Sequence, residues 1–262
     1  KDYVFPAYRD HGHALACGLD PNAMMAELYG KVTGCSRGKG GSMHMFDAEK
    51  HMLGGNGIVG AHIPVATGAA LKVRYKKENG VVLCFFGDGA IHQGSFHESL
   101  NLAKIWNLPI VYICENNQYG MGTDFRRVSS VTDFSKMGVS YDIPGSLMVG
   151  MDVLKVYEAV NQAAERARKE HQPSFIEAVT YRYKGHSMSN PATYRTKEEL
   201  EEYKNQDPIL VLKAQMLQAK QISNEEFDKL DAECKQISNT AVQFAEDSPQ
   251  PAVETLYEDV LV

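Results

Sequence analysis

The chain has 262 residues, 44% hydrophobic and 23% charged, which suits one globular domain of generous size with an appendage. Its net charge of −6 leaves no basic footprint for nucleic acid, and no apolar run approaches the ~20 residues of a membrane span. Five cysteines (Cys17, Cys35, Cys84, Cys114 and Cys234) form no CxxC pair, which argues for a reducing compartment and against a disulfide framework. The chain starts without Met or a signal-like segment, almost on top of a motif, so trimming or processing of upstream residues is expected.

Residues 1–12 read KDYVFPAYRDHG, a loop on composition. Tyr8, Arg9 and His11 combine an aromatic ring, a fixed cation and a titratable ring there. Arginine pairs phosphate oxygens through its planar fork. His11 and His13 lack further ligands at zinc spacing. Residues 21–30 read as a short amphipathic helix capped by Asp20 or Asn22. Residues 34–60 are rich in glycine, but Lys39 does not complete a phosphate-loop pattern after a strand. This stretch reads as a packed loop with unusual backbone angles. Residues 63–75 form a small-residue helix with Pro64 near its start, suited to packing on a sheet.

Residues 81–123 organise the rest. An apolar run at 81–86 ends in Gly87-Asp88-Gly89. Residues 95–106 have helical spacing, with Phe96, Leu100 and Ala103 on one face. A second apolar run at 109–114 ends in Glu115-Asn116-Asn117. Strand, helix and strand make a right-handed βαβ unit with parallel strands, and strands buried on both faces read as unbroken apolar runs. Cys84 and Cys114 fall inside these strands as small hydrophobes. Asp88 and Asn117 then lie just past the carboxyl ends of two strands, the edge where open α/β sheets bind ligands. A carboxylate, an amide oxygen and the backbone carbonyls of the following loop, which includes Tyr119, are hard oxygen ligands suited to Mg²⁺. Gly87 and Gly89 allow close approach, and the amides of Gly89 and Ala90 lead toward a helix N-terminus that favours phosphate.

Residues 131–138 predict a turn and short helix. Residues 151–170 predict an amphipathic helix with Val153, Val156, Tyr157, Val160 and Ala164 inward. Residues 175–183, after Pro173, alternate as a strand, so the α/β domain extends over 1–195. Residues 183–195 (YKGHSMSNPATYR) form a polar loop leaving that strand, suited to ordering on a ligand. His186 in it can donate to an anion or shuttle a proton near neutral pH. Residues 196–262 form a helical segment that packs on the domain or on a partner subunit. Thr196/Glu199 and Ser223/Glu226 are capping boxes, and Asp207-Pro208 is a cap with Pro at N1. Phe227, Leu230, Cys234, Ile237, Ala241 and Phe244 form a helix stripe. Residues 247–251 break that helix.

The GDG and NN pairs flanking one βαβ unit look like the thiamine diphosphate fingerprint. Together with ENNQYGMGT, GGSMHMF and YRYKGHSMSNPATYRT, they resemble the α subunits of the decarboxylating first component of pyruvate dehydrogenase complexes. The similarity runs from Tyr8 to about residue 212, and more loosely to the end. It implies the thiamine diphosphate-binding α/β fold, a mostly parallel sheet flanked by helices, with a helical C-terminal extension. It implies that Tyr8, Arg9 and His186 contact the cofactor diphosphate, with His186 as the catalytic residue at the active-site mouth. It implies that Gly57 and Val59 contact the aminopyrimidine ring through their backbone. Asp88, Gly89, Ala90 and Asn117 would complete the cofactor site, and Asp88, Asn117 and Tyr119 would hold Mg²⁺. Ser187 and Ser189 stand at positions that mitochondrial members phosphorylate. The sequence departs from the family at His92, where Asn is commoner, and at Val149 and Asn190, where Asp is usual.

Thiamine chemistry needs a glutamate beside the aminopyrimidine, and the chain has no candidate for it. The resemblance implies that a separate β subunit supplies it, that the site forms between α and β, and that two of each make a heterotetramer. The implied reaction decarboxylates pyruvate and acetylates a lipoyl group on the acyltransferase component. The α subunits of branched-chain 2-oxo acid and acetoin dehydrogenases are the close alternatives. An NAD-dependent oxidoreductase would need GxGxxG, and GDGAIHQG lacks its third glycine. A non-catalytic structural subunit would not need to keep Arg9, Asp88, Asn117 and His186. The NPATYRT spacing resembles bacterial members, so a bacterial cytoplasm is expected, with the mitochondrial matrix as the alternative.

Overall fold

The computed structural model describes residues 2–258 and 260. In chain order the elements are β1 (Tyr3–Phe5), α1 (His11–Ala16), α2 (Pro21–Leu28), α3 (His62–Tyr75), β2 (Val82–Gly87), α4 (Gly94–Ile105) and β3 (Ile110–Asn116). A small hairpin follows, β4 (Tyr119–Gly120) and β5 (Thr123–Asp124), then β6 (Gly145–Val149), α5 (Val153–Glu170) and β7 (Ser174–Val179). The chain closes with α6 (Lys197–Lys204), α7 (Pro208–Gln218) and α8 (Asn224–Asp247). These elements form two units. One holds Ile58–Ser223 and the segment that ends at Phe5, and the other holds Pro6–Gly57 and the segment from Asn224 on.

The first unit is built on a five-stranded sheet in the order β1-β2-β3-β7-β6, every pair parallel. The expected βαβ unit is present as β2-α4-β3, with Gly87 in register with Glu115 and Glu115 with Ala178. The apolar runs are buried as their composition requires: Val82, Cys84, Phe86, Tyr112 and Cys114 are all fully buried. Phe86 packs edge-on to Phe96 of α4 at 5.7 Å and stacks on Phe175 of β7 at 6.4 Å, which ties α4, β2 and β7 together.

His62, at the start of α3, completes the sheet's hydrogen bonding. The Val81 carbonyl accepts from Tyr3 in β1, and Phe85 lies four residues on, pointing the same way. β1 ends at Phe5, opposite Cys84, one residue short of the Phe85 carbonyl. His62 Nε2 donates to it at 2.7 Å. Burial holds the fully buried imidazole below its usual pKa, against the opposing pull of that bond and of Glu115.

Two strands of this sheet, like the β4–β5 hairpin, are absent from the sequence-based expectation. β1 has three residues, and β6 is an edge strand with Gly145, Ser146, Leu147 and Val149 exposed, so neither shows a buried alternation. The strand expected over 175–183 ends at Val179, and the chain then turns away from the sheet. In α5 the inward face also differs. Ala163 and Ala167 form its buried line, with Val156, Ala159, Val160 and Ala164 alongside. Val153 and Tyr157 instead face solvent. Alanines let the helix lie close to the sheet, and that approach rotates the larger residues outward. The Asp152 carboxylate caps α5 by accepting from the amides of Leu154 and Lys155.

In the second unit α2 packs on α8, and Ala241 and Ala245 are buried on the latter. The apolar stripe of α8 is buried only there, because Leu230 and Ile237 are exposed. Asp20 caps α2 by accepting from the Asn22 amide. The glycine-rich loop is folded around one buried carboxylate, Glu27. Its Oε2 accepts from the amides of Ser36 at 2.8 Å and Gly38 at 2.9 Å, and its Oε1 from Gly40 at 2.6 Å and Gly41 at 3.1 Å. A Cβ on Gly34 would fall 2.7 Å from the Glu27 Cα, so the close approach requires glycine there.

Glu27→Ala leaves four amide donors without their acceptor. It is expected to lower unfolding stability by about 3 kcal/mol in urea titrations, whereas an exposed-surface Glu→Ala control changes little. His62 gives a pH prediction. Its folded-state pKa is depressed, so its contribution is complete above about pH 6.5 and is lost as the pH falls toward the lowered value. Thermal midpoints measured across that interval should fall less steeply in His62→Gln than in the parent chain.

Candidate functional site

The parallel register of β2, β3 and β7 brings three chain segments off the sheet at one edge. β2 runs into a 3-10 turn over Asp88–Ala90, with α4 beginning only at Gly94. β3 runs into Asn117 and the β4–β5 hairpin. β7 runs into Thr180, Tyr181 and Arg182.

The two asparagines at the end of β3, Asn116 and Asn117, have separate tasks. Asn116 is buried and structural: its side-chain amide donates to Glu177 Oε1 at 2.8 Å, and its Oδ1 accepts from the Gln118 amide at 3.1 Å. Glu177 also accepts from the amides of Phe134 and Ser135, which anchors the 3-10 helix Phe134–Tyr141 to β7. Asn117 is half-buried, and its amide N–H donates to the Asp88 carboxylate. The structure therefore brings Asp88 and Asn117 together.

Asp88 is 3% exposed, and burial pushes its pKa up to about 6. Backbone hydrogen bonds and the Arg182 charge pull the other way, and Asp124 adds to the rise. Asp124 itself is held as a carboxylate by hydrogen bonds from Arg126. Gly120 lies against this carboxylate. A Cβ there would stand 4.0 Å from Asp88 Oδ2 and 3.8 Å from the Gly89 Cα, lining the space between the two turns. Ala90 is buried and Gly89 exposed.

Arg182 is the site residue that the sequence argument passed over. It lies in the run YRYKGHS, beside the histidine that drew attention. Arg182 is 9% exposed, and its guanidinium donates to the carbonyls of Tyr119 (3.3 Å) and Met121 and to the Tyr194 hydroxyl at 2.6 Å. Those carbonyls belong to a turn with Gln118 at φ 76° and Met121 at φ 53°, left-handed backbone that side chains disfavour. Arg182 pins that turn. Its Nη1 also lies 3.4 Å from His186 Nδ1; a guanidinium only donates, so this contact assigns the histidine proton to Nε2.

The donor set fits a metal-bound diphosphate on three observations. A buried carboxylate whose charge is penalised by burial suits a cation beside it. The Tyr119 carbonyl accepts one bond from Arg182 and has a second lone pair. Arg182 Nε is buried without a hydrogen-bond partner and suits an anionic oxygen. Val59 is exposed just before α3, next to Gly60, whose Cβ would lie 3.8 Å from the Ala90 carbonyl. In the second unit, the Arg9 guanidinium lies 5.8 Å over the Tyr8 ring, and Gly57 is exposed beside His44.

A family model described as the dehydrogenase E1 component matches residues 1–254. The chain belongs to the dehydrogenase E1 component family. A pyruvate dehydrogenase E1 component α subunit from Rhizobium meliloti (strain 1021) is 47% identical over 262 residues, covering 100% of this chain and 75% of that protein. The protein of the same name from Rickettsia bellii (strain RML369-C) is 45% identical over 262 residues, covering 100% of this chain and 80% of its own length. The α subunit of an acetoin:2,6-dichlorophenolindophenol oxidoreductase from Bacillus subtilis (strain 168) is 44% identical over the same length, covering 78% of that protein. E1 dehydrogenases depend on thiamine diphosphate. The α/β fold with its mostly parallel sheet agrees with the fold implied by the sequence motifs.

Arg182→Lys keeps the charge and loses the planar fork. Hydrogen exchange of the amides in residues 117–122 is expected to rise about tenfold or more, while exchange in β2 and β3 stays as in the parent. Equal exchange in the turn would remove Arg182 from its pinning role.

Proposed function

We propose that this chain is the α subunit of a pyruvate dehydrogenase (acetyl-transferring), acting with a β subunit in a heterotetramer of two α and two β chains. The carrying observation is the pairing of buried Asp88 with Asn117 at the ends of adjacent parallel strands, in a chain 47% identical to a protein of that name. Asp88, the Asn117 amide oxygen and the Tyr119 carbonyl would hold Mg²⁺. Tyr8, Arg9, His186 and the amides of Gly89 and Ala90 would bind the diphosphate, and the backbone of Gly57 and Val59 the aminopyrimidine ring. When bound, thiamine diphosphate supplies the nucleophilic ring and electron sink for decarboxylating a 2-oxo acid.

The chain's own residues bind and orient. Asp88 would stay ionised beside a cation that offsets the cost of its burial. His186, with its proton on Nε2, offers a donor to the diphosphate or to substrate at the site mouth. The β subunit would contribute the glutamate that promotes ionisation of the ring, and the lipoyl group of the acyltransferase component would receive the acetyl unit. The proposed compartment is a bacterial cytoplasm, on the spacing of NPATYRT, with the mitochondrial matrix as the other assignment. The 44% identity to an acetoin oxidoreductase α subunit favours acetoin as the second reading of the substrate.

The test is a decarboxylation assay with an artificial electron acceptor, using the chain alone and co-expressed with its β partner. Pyruvate, branched 2-oxo acids and acetoin are compared in the presence of Mg²⁺ and thiamine diphosphate. Pyruvate turnover by the pair, and none by the α chain alone, is the expected outcome. Preferred turnover of acetoin would move the substrate assignment, and full turnover by the isolated α chain would contradict the shared site.

A further inference from the structure

The loop that carries His186 is closed at its neck by one carboxylate. Glu199, in the first turn of α6, accepts two hydrogen bonds at the same oxygen, Oε1. One comes from the Tyr181 hydroxyl at 2.7 Å and the other from the Tyr119 hydroxyl at 2.8 Å. Tyr181 stands where the chain leaves β7, so the first bond closes residues 182–198 into a loop with a fixed neck. The Tyr203 ring stacks on Tyr181 at 3.9 Å and 6°, which holds the donor in place. Tyr119 lies two residues past Asn117, so the second bond fastens that neck to the turn at the strand ends. Inside the loop, Arg195 stands 5.1 Å over Tyr181 and donates to the carbonyls of Arg182 and Tyr183.

The sequence pattern Thr196-x-x-Glu199 predicts that this glutamate turns back to cap its own helix. Half of the box forms: the Thr196 hydroxyl accepts from the Glu199 amide at 3.1 Å. The Glu199 side chain is instead directed at the two tyrosines. Both phenols are buried, Tyr119 at 5% and Tyr181 at 7% exposure, so their hydroxyls have little access to water. A carboxylate withdrawn from its helix cap and shared by two buried hydroxyls on different segments acts on the loop rather than on the helix.

We propose that Glu199 is a positioning residue of the cofactor site. It fixes the neck of the His186 loop against the strand-end turn, so that less of the loop's ordering is charged against binding. This deepens the thiamine diphosphate reading above and rests on it. The residue touches neither cofactor nor substrate and acts through Tyr119, Tyr181 and the loop between them.

The experiment uses the α chain co-expressed with its β partner. Glu199→Ala removes the acceptor, Glu199→Gln keeps an amide oxygen able to take both bonds, and Tyr181→Phe removes one donor while keeping the stacked ring. Without cofactor, hydrogen exchange in residues 183–195 should rise about tenfold in Glu199→Ala and less in Tyr181→Phe. Calorimetric titration of thiamine diphosphate with Mg²⁺ should show Kd raised about tenfold in Glu199→Ala, and Glu199→Gln should restore both readouts. Turnover at saturating cofactor should stay within about twofold of the parent. Unchanged loop exchange in Glu199→Ala overturns the proposal, as does a rise spread evenly over the whole chain that Glu199→Gln fails to reverse. If the parent pair binds no thiamine diphosphate, the cofactor reading falls, and the cofactor-free exchange still decides whether Glu199 holds the loop.

Discussion

The site depends on one constraint, the parallel in-register pairing of β2, β3 and β7. Gly87 faces Glu115, Glu115 faces Ala178, and Asn116 faces Val179, so the three strands end at one level. Parallel pairing is stable here because both faces of the strands are covered, and the covering leaves Asp88 almost without solvent. A carboxylate in that position carries a desolvation cost that a water-exposed turn would not impose. The same geometry that builds the core therefore creates a place where a cation is favoured.

Arginine 182 balances this arrangement. It arrives from β7 at the same edge and partly offsets the charge of Asp88. Its main bonds go to the carbonyls of a turn that contains two left-handed non-glycine residues. A turn of that kind persists only where its surroundings over-determine it, and the fork of the guanidinium does so together with Tyr194. The buried Nε without a hydrogen-bond partner leaves one side of the guanidinium suited to an anionic oxygen.

The parts of this architecture that were legible in the sequence are those with short-range signatures. The unbroken apolar runs ending in GDG and ENN located β2, α4, β3 and the site edge, because buried parallel strands leave no alternation to misread. The caps at Asp20, Asp152 and Asp207 are local chemistry; the sequence points to Asp207 outright and to Asp20 as one of two candidates with Asn22. Features set by tertiary contact were not legible. β6 is an exposed edge strand, and its pairing with β7 rather than β3 cannot be read from its own residues. The buried face of α5 follows two alanines rather than its larger apolar residues. Arg182, Glu27 and Glu199 act on backbone or hydroxyl groups distant in sequence, and a charged residue carries no local mark of such a partner. The interleaving of Pro6–Gly57 with the segment from Asn224 on is likewise a matter of α2 meeting α8.

We propose that Asp88 is the metal-holding carboxylate of a diphosphate site at this strand edge. Calorimetric titration of thiamine diphosphate into the α–β pair, with Mg²⁺ or with EDTA, tests it most directly when the parent is compared with Asp88→Asn. The parent should bind only with the divalent metal, and Asp88→Asn should lose that metal-dependent binding while its thermal midpoint stays equal or rises, since a penalised buried charge has been removed. Binding by Asp88→Asn with the parent's affinity and metal dependence would contradict the account.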